Sequence, residues 1–123
     1  MSIRTDRIAS LIREELGTML SREFSGSAEF GFATVTEVRV TPDLRLARVF
    51  VSVLGSQEKQ ERTMERIQVQ RKHYRSELGR RINLRFVPDV EFRHDTSLDN
   101  AMHIESLLKQ VRKEEKKDDT AEE

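Results

Sequence analysis

TVTEVRVTPDLRLARVFVSVL, residues 34–54, reads as two strands joined by a turn. The first run, TVTEVRV, is rich in β-branched residues and roughly alternating. The second, LARVFVSVL from residue 46, sets Ala47, Val49, Val51 and Val53 on one face and Leu46, Arg48 and Phe50 on the other. Between them TPDL supplies proline and aspartate, so an antiparallel hairpin is expected. Working outward, residues 4–23 place Ile8, Leu11, Ile12, Leu16, Met19 and Leu20 at three- and four-residue spacing, the mark of an amphipathic helix. SGSAEFG, residues 25–31, ends it with glycines and serines. After Gly55 the helical period returns, with an apolar stripe of Met64, Ile67, Tyr74, Leu78 and Ile82. FVPDVEF, residues 86–92, reads as a third strand that starts at Pro88 or runs near an edge.

Thr96 and Asp99 match a capping box opening a last helix, whose stripe is Leu98, Ala101, Ile104, Leu108 and Val111. The order is therefore α-β-β-α-β-α, an α+β fold with a three-stranded mixed sheet packed by helices on one face. The long connection from the second strand to the third permits a parallel crossover. Residues 1–110 form one domain, and the charged tail at 111–123 is expected to be disordered.

With 123 residues and no cysteine, the chain has room for a single core but no disulfide framework and no thiolate metal site. No apolar run approaches the roughly 20 residues of a membrane span. MSIRTDRIAS is polar where a signal peptide needs an apolar run, so a soluble, cytoplasmic protein is expected, and nothing demands more than a monomer.

The formal net charge is zero, but its distribution is uneven. Residues 62–85 hold eight Arg and Lys against two carboxylates, whereas residues 86–108 hold one against five. Salt screens charges within about 10 Å, so an incoming polyanion feels this local excess rather than the neutral total. Arginine dominates, which favours bidentate phosphate contacts. On a straight helix Arg62, Arg66, His73 and Arg80 lie opposite the apolar stripe, and Lys72 and Arg75 lie to the side. Arg71 falls on the stripe itself, so either its stem snorkels or the helix turns near residues 70–72. Arg85 extends the patch, and Arg39, Arg45 and Arg48 add to it from the hairpin. The competing interpretation is a solvated helix paired with the acidic 86–108 segment.

Aromatic residues add little. Tyr74 and Phe92 lie on core faces, while Phe50 either covers the hairpin or offers a ring for stacking. Catalytic motifs are missing: there is no GxSxG, phosphate loop or HExxH. His94, Asp95, Asp99 and His103 form the best polar cluster, better explained as flanking a helix start than as a metal-dependent hydrolase site. No enzyme, cofactor or metal is expected.

RTDRIASLIREEL, VTEVRVTPDLRLARVFVSVLG and YRSELGRRINLRFVPDVEFRHDTSLDNAMHIESLL resemble the ribosome-binding factor A family over residues 4–108. The resemblance implies a type II KH-like fold whose nucleic-acid-clamping GxxG loop is replaced by an Ala-x-Gly helix kink. The kink positions here are Gln70, Arg71 and Lys72, without the glycine, so a less bent helix is an open alternative. SGSAEFGF also departs from the family's usual Asp-Pro-Arg. The resemblance further implies an assembly factor that binds the free 30S small ribosomal subunit and 16S rRNA. Such a factor assists late maturation and processing of the 16S rRNA 5′ end, above all in the cold. Arg71, Lys72, Arg75, Arg80, Arg81 and Arg85 are then the expected RNA contacts, with Arg45 and Arg48 secondary. Arg75 has a rival role in pairing with Glu77 or a strand carboxylate. The alternative is a generic KH-like RNA-binding or protein-interaction module.

Overall fold

In the computed structural model the described residues run from Ile3 to Ala121, with the side chains at 98, 99, 102 and 113–121 excluded. The elements are α1 (Ile3–Glu23), β1 (Phe32–Val40), β2 (Leu46–Leu54), α2 (Gln57–Val69), α3 (Arg71–Arg81), β3 (Asp89–His94) and α4 (Ser97–Ala121). The strands form one sheet in the order β1-β2-β3, with β1 antiparallel and β3 parallel to the central β2. This is the α+β order expected from the hydrophobic periods.

Alternation along the strands sends Ala33, Val35, Val38, Val40, Ala47, Val49, Val51, Val53, Val90 and Phe92 to one face, where they are buried. Onto that face pack Ile8, Ile12, Leu16 and Leu20 of α1, Ile67 of α2, and Tyr74 and Leu78 of α3. Leu11, at the edge of the α1 stripe, faces outward instead. On the opposite face of the sheet Arg39, Arg48 and Arg93 lie beside Glu37 and Glu91.

The hairpin turn is built by Thr41 and Asp43. Leu44 N–H donates to the Thr41 carbonyl at 2.8 Å, and Asp43 Oδ1 accepts from Thr41 Oγ1 at 2.6 Å and from Arg45 N–H at 3.1 Å. Those two donors hold the Asp43 carboxyl below its ordinary range. Leu44 adopts φ 62°, a conformation that costs a branched residue about 1–2 kcal/mol. A bulge between Val35 and Glu37 interrupts the β1–β2 register and leaves Thr36 free to donate to Asp95 Oδ2 at 2.7 Å.

The third strand begins directly after Pro88 and lies at an edge of the sheet, as the proline suggests. Pro88 is buried just before it, and Phe86, placed by alternation inside a strand, lies in the preceding loop. The capping box involved Asp99, whose side chain lies outside the described residues; Asp95 is what receives Ser97 N–H, at 3.0 Å. Helix α4 runs to Ala121, through the charged segment from 111 onward, where Glu and Lys favour the helix. Its stripe residues Ile104, Leu108 and Val111 are half exposed and lie outside the buried core cluster.

Candidate nucleic-acid interface

The basic segment becomes two helices because Gln70 leaves the helical path, at φ −94° and ψ 13°. The kink is present without its glycine. Gln70 holds it through its side chain: with the amide nitrogen donating to Glu23 Oε1 (2.6 Å) and Tyr74 Oη (3.0 Å), its oxygen accepts from Arg66 Nη2 (3.2 Å). Tyr74 Oη completes the network by donating to Glu23 Oε2 at 2.5 Å. Burial, and then that bond to Glu23, push the Tyr74 phenol well above its ordinary range, so it stays a donor at any physiological pH. The change of direction resolves the awkward position of Arg71. Gln70 occupies the junction and Arg71 turns out to solvent.

The eight expected contact residues do not form one patch. Arg71 and Lys72 are exposed at the start of α3, and among the described residues no carboxylate lies within ion-pair reach of either. Arg75 follows one helical turn after Arg71 but is committed to the fold. It donates to the carbonyls of Val87 (3.0 Å) and Pro88 (3.3 Å) and pairs with the strand carboxylate Asp89 at 3.4 Å. Arg80 pairs with Glu77 at 3.4 Å, and Arg81 reaches across to Glu15 of α1, also at 3.4 Å. Arg48 lies on the open face of the sheet, 3.7 Å from Glu91, apart from the α3 cations.

Arg45 and Arg85 meet in space although they are far apart in sequence. With Arg75 they line a cleft of about 660 Å³ between the start of α1, the hairpin turn and the loop before β3. Arg4 lines it too, a residue that charge counting by segment missed because its own region is balanced. Ile8, Leu44 and Leu84 supply apolar walls, and Phe86 lies at its edge. No signal in the periodicity pointed to Phe86, since alternation assigned it to a strand.

The expected base-stacking candidates resolve clearly. Tyr74 and Phe92 are core residues, their rings edge-to-face at 5.6 Å. Phe50 is covered by Arg39, whose guanidinium stands 5.4 Å from the ring centroid. The polar cluster near His94 has structural work instead: Asp95 accepts from Thr36, Ser97 Oγ and Ser97 N–H. Those bonds, with Ser97 contributing most, hold its pKa at about 2. Among the described residues no group of three or more His, Cys, Asp and Glu is placed to hold a metal, and no helix is long and apolar enough to cross a membrane.

Comparison with known proteins agrees with this arrangement. The model of the ribosome-binding factor A family matches residues 4–108. A curated ribosome-binding factor A from Chlorobium phaeobacteroides is 44% identical over 117 residues, covering 94% of this chain and 99% of the relative. In fold, the chain is similar to the crystal structure of ribosome-binding factor A from Thermus thermophilus, with a TM-score of 0.60 at 18% identity over 73% of this chain and 94% of that one. The solution structure of a Thermotoga maritima protein described as a ribosome binding factor A gives 0.52 at 24% identity, over 77% and 86%. A T. thermophilus homology model, fitted into a cryo-EM map of a complex with the 30S subunit, gives 0.54 at 20% identity, over 70% and 93%. Sequence and fold thus agree along the whole domain, and this chain belongs to the ribosome-binding factor A family.

Proposed function

We propose that this protein is a cytoplasmic assembly factor that binds the free 30S ribosomal subunit, laying the start of α3 and the adjacent cleft against the 16S rRNA backbone. In this role it assists late 30S maturation and processing of the 16S rRNA 5′ end, as a binding factor with no catalytic step. The observation that carries the reading is the pair of exposed cations without a carboxylate partner among the described residues, Arg71 and Lys72 on α3, together with Arg4, Arg45 and Arg85 around the cleft. Cations not paired internally are the ones ready to displace counterions from phosphate. Family membership supports it, as does the relative whose description places it in a complex with 30S. Arg80 and Arg81 are secondary contacts, since exposed ion pairs are worth only about 0–1 kcal/mol and exchange readily for phosphate. Arg75 positions the loop before β3.

Sedimentation with small subunits, large subunits and joined ribosomes across a salt series tests this. Selective binding to small subunits is expected, with affinity falling linearly on a log–log plot against salt. The variant Arg71→Glu/Lys72→Glu is expected to reduce the salt slope by about 2, one for each lost phosphate contact. Binding by that variant as tight and as salt-sensitive as the parent would sink the assignment.

A further inference from the structure

Three features of the cleft go beyond the needs of a phosphate surface. Phe86 is 78% exposed, more than any other large apolar side chain among the described residues. The Arg85 guanidinium stands over its ring, 5.7 Å from the centroid. Ile8, Leu44 and Leu84 make the neighbouring wall apolar, while Arg4 and Arg45 bring charge to the same space. A lone exposed phenylalanine is ordinary on a protein surface. One set beside unpaired arginines, at the edge of a cleft of about 660 Å³, is a different matter, because that volume falls in the usual range for a small-molecule site.

We infer that this cleft takes one unpaired nucleotide of single-stranded RNA, its base stacked on Phe86 beside Arg85 and its phosphate held between Arg45 and Arg4. An unpaired base offers a flat π-face of any sequence, which suits a phenyl ring and a guanidinium plane together. Its flanking phosphates meet Arg4, Arg45 and Arg85, none of which is held in a side-chain ion pair among the described residues, although Asp43 lines the same cleft and attracts Arg45. Duplex RNA keeps its bases inside the helix and presents only backbone and a shallow groove, so it leaves Phe86 unused. Arg75 pairs with Asp89 and Asp43 draws on Arg45, so of the four arginines and two aspartates in the lining the positive charges of Arg4 and Arg85 remain to attract phosphate. The inference rests on the rRNA-facing surface proposed above and narrows it to a single-strand site.

Fluorescence anisotropy of the whole chain, with a labelled single-stranded RNA of about ten nucleotides and the duplex made from it, tests the inference. For Phe86→Ala, the preference for single strand over duplex is expected to fall roughly tenfold, while Phe86→Tyr retains it. Phe86 is exposed, so both variants are expected to fold as the parent does, and a thermal melt of each checks this. An unchanged preference in Phe86→Ala would overturn the single-strand site. So would a parent protein that binds small subunits with the expected salt dependence but has no preference for single strand, and in that case the rRNA-facing surface would stand. A parent protein that binds neither subunits nor RNA would overturn both.

Discussion

Thr63 shows how much one buried hydroxyl decides. It is fully buried in α2; its Oγ1 donates to the Lys59 carbonyl at 2.6 Å and accepts from Gly31 N–H at 3.0 Å. Gly31 is there because the chain runs against β2: a Cβ at that position would lie 2.3 Å from the Leu54 carbonyl oxygen. Thr63→Val keeps the shape but strands the Gly31 N–H, so a loss of about 1–3 kcal/mol is expected in urea unfolding. An unchanged midpoint would mean that the bond is dispensable. Asp95 makes a second local prediction. Its pKa, about 2 against an ordinary 3.8, means that the folded state favours the carboxylate. The stabilisation is therefore complete above about pH 4 and is lost as pH falls through about 2. Asp95→Asn should flatten the dependence of the unfolding midpoint on pH in that window, and an equally steep acid limb in the variant would refute it. The place of Asp95 at a helix start, beside Ser97, was legible in the sequence; its bond to Thr36 and that of Thr63 to Gly31 were not, since each joins distant parts of the chain.

The kink between α2 and α3 is the element on which the candidate site depends. Glycine usually relieves a bend by conformational freedom, whereas here a side-chain amide bridging Arg66, Tyr74 and Glu23 holds it. Gln70→Ala removes that bridge and should cost about 1 kcal/mol in denaturant unfolding. It should also weaken small-subunit binding, because the direction of Arg71 depends on the bend; full stability and full binding in the variant would show that the backbone keeps the kink unaided. Helix α4 makes the opposite case. Its periodicity was as clear in the sequence as that of α1, yet Ile104 is 56% and Leu108 52% exposed. Ile104→Ser and Leu108→Ser should each change the stability of the isolated protein by less than about 0.5 kcal/mol. A larger fall in the melting transition would place those side chains against the core.

Across the whole molecule, the charges sort by what they meet. Reversing Arg81 sets a glutamate against Glu15, and reversing Arg80 sets one against Glu77, so Arg80→Glu/Arg81→Glu combines repulsion within the fold with any loss of RNA contact. Arg71→Glu/Lys72→Glu creates no such clash. The melting temperature should therefore drop in the first pair and hold in the second, while small-subunit binding falls in both. A melting temperature that responds equally to the two pairs would contradict the division between paired and unpaired cations.

Element order, the antiparallel hairpin and most of the core side chains on α1, β2, α2 and α3 were legible in the sequence, because each depends on a local period that burial imposes. The stripe of Ile67, Tyr74, Leu78 and Ile82, and the alternation of Val49, Val51 and Val53, needed no partner to be recognised. The basic excess of residues 62–85 was legible as well. Only the tertiary structure decided which of those cations are free: Arg81 is neutralised by a carboxylate 66 residues away, and Arg75 is bound to the loop before β3. The same is true of the cleft, where Arg4, Arg45 and Phe86 meet from three separate segments. Burial leaves a repeating mark along the chain, but pairing between distant side chains leaves none, so the fold could be read in advance and the site could not.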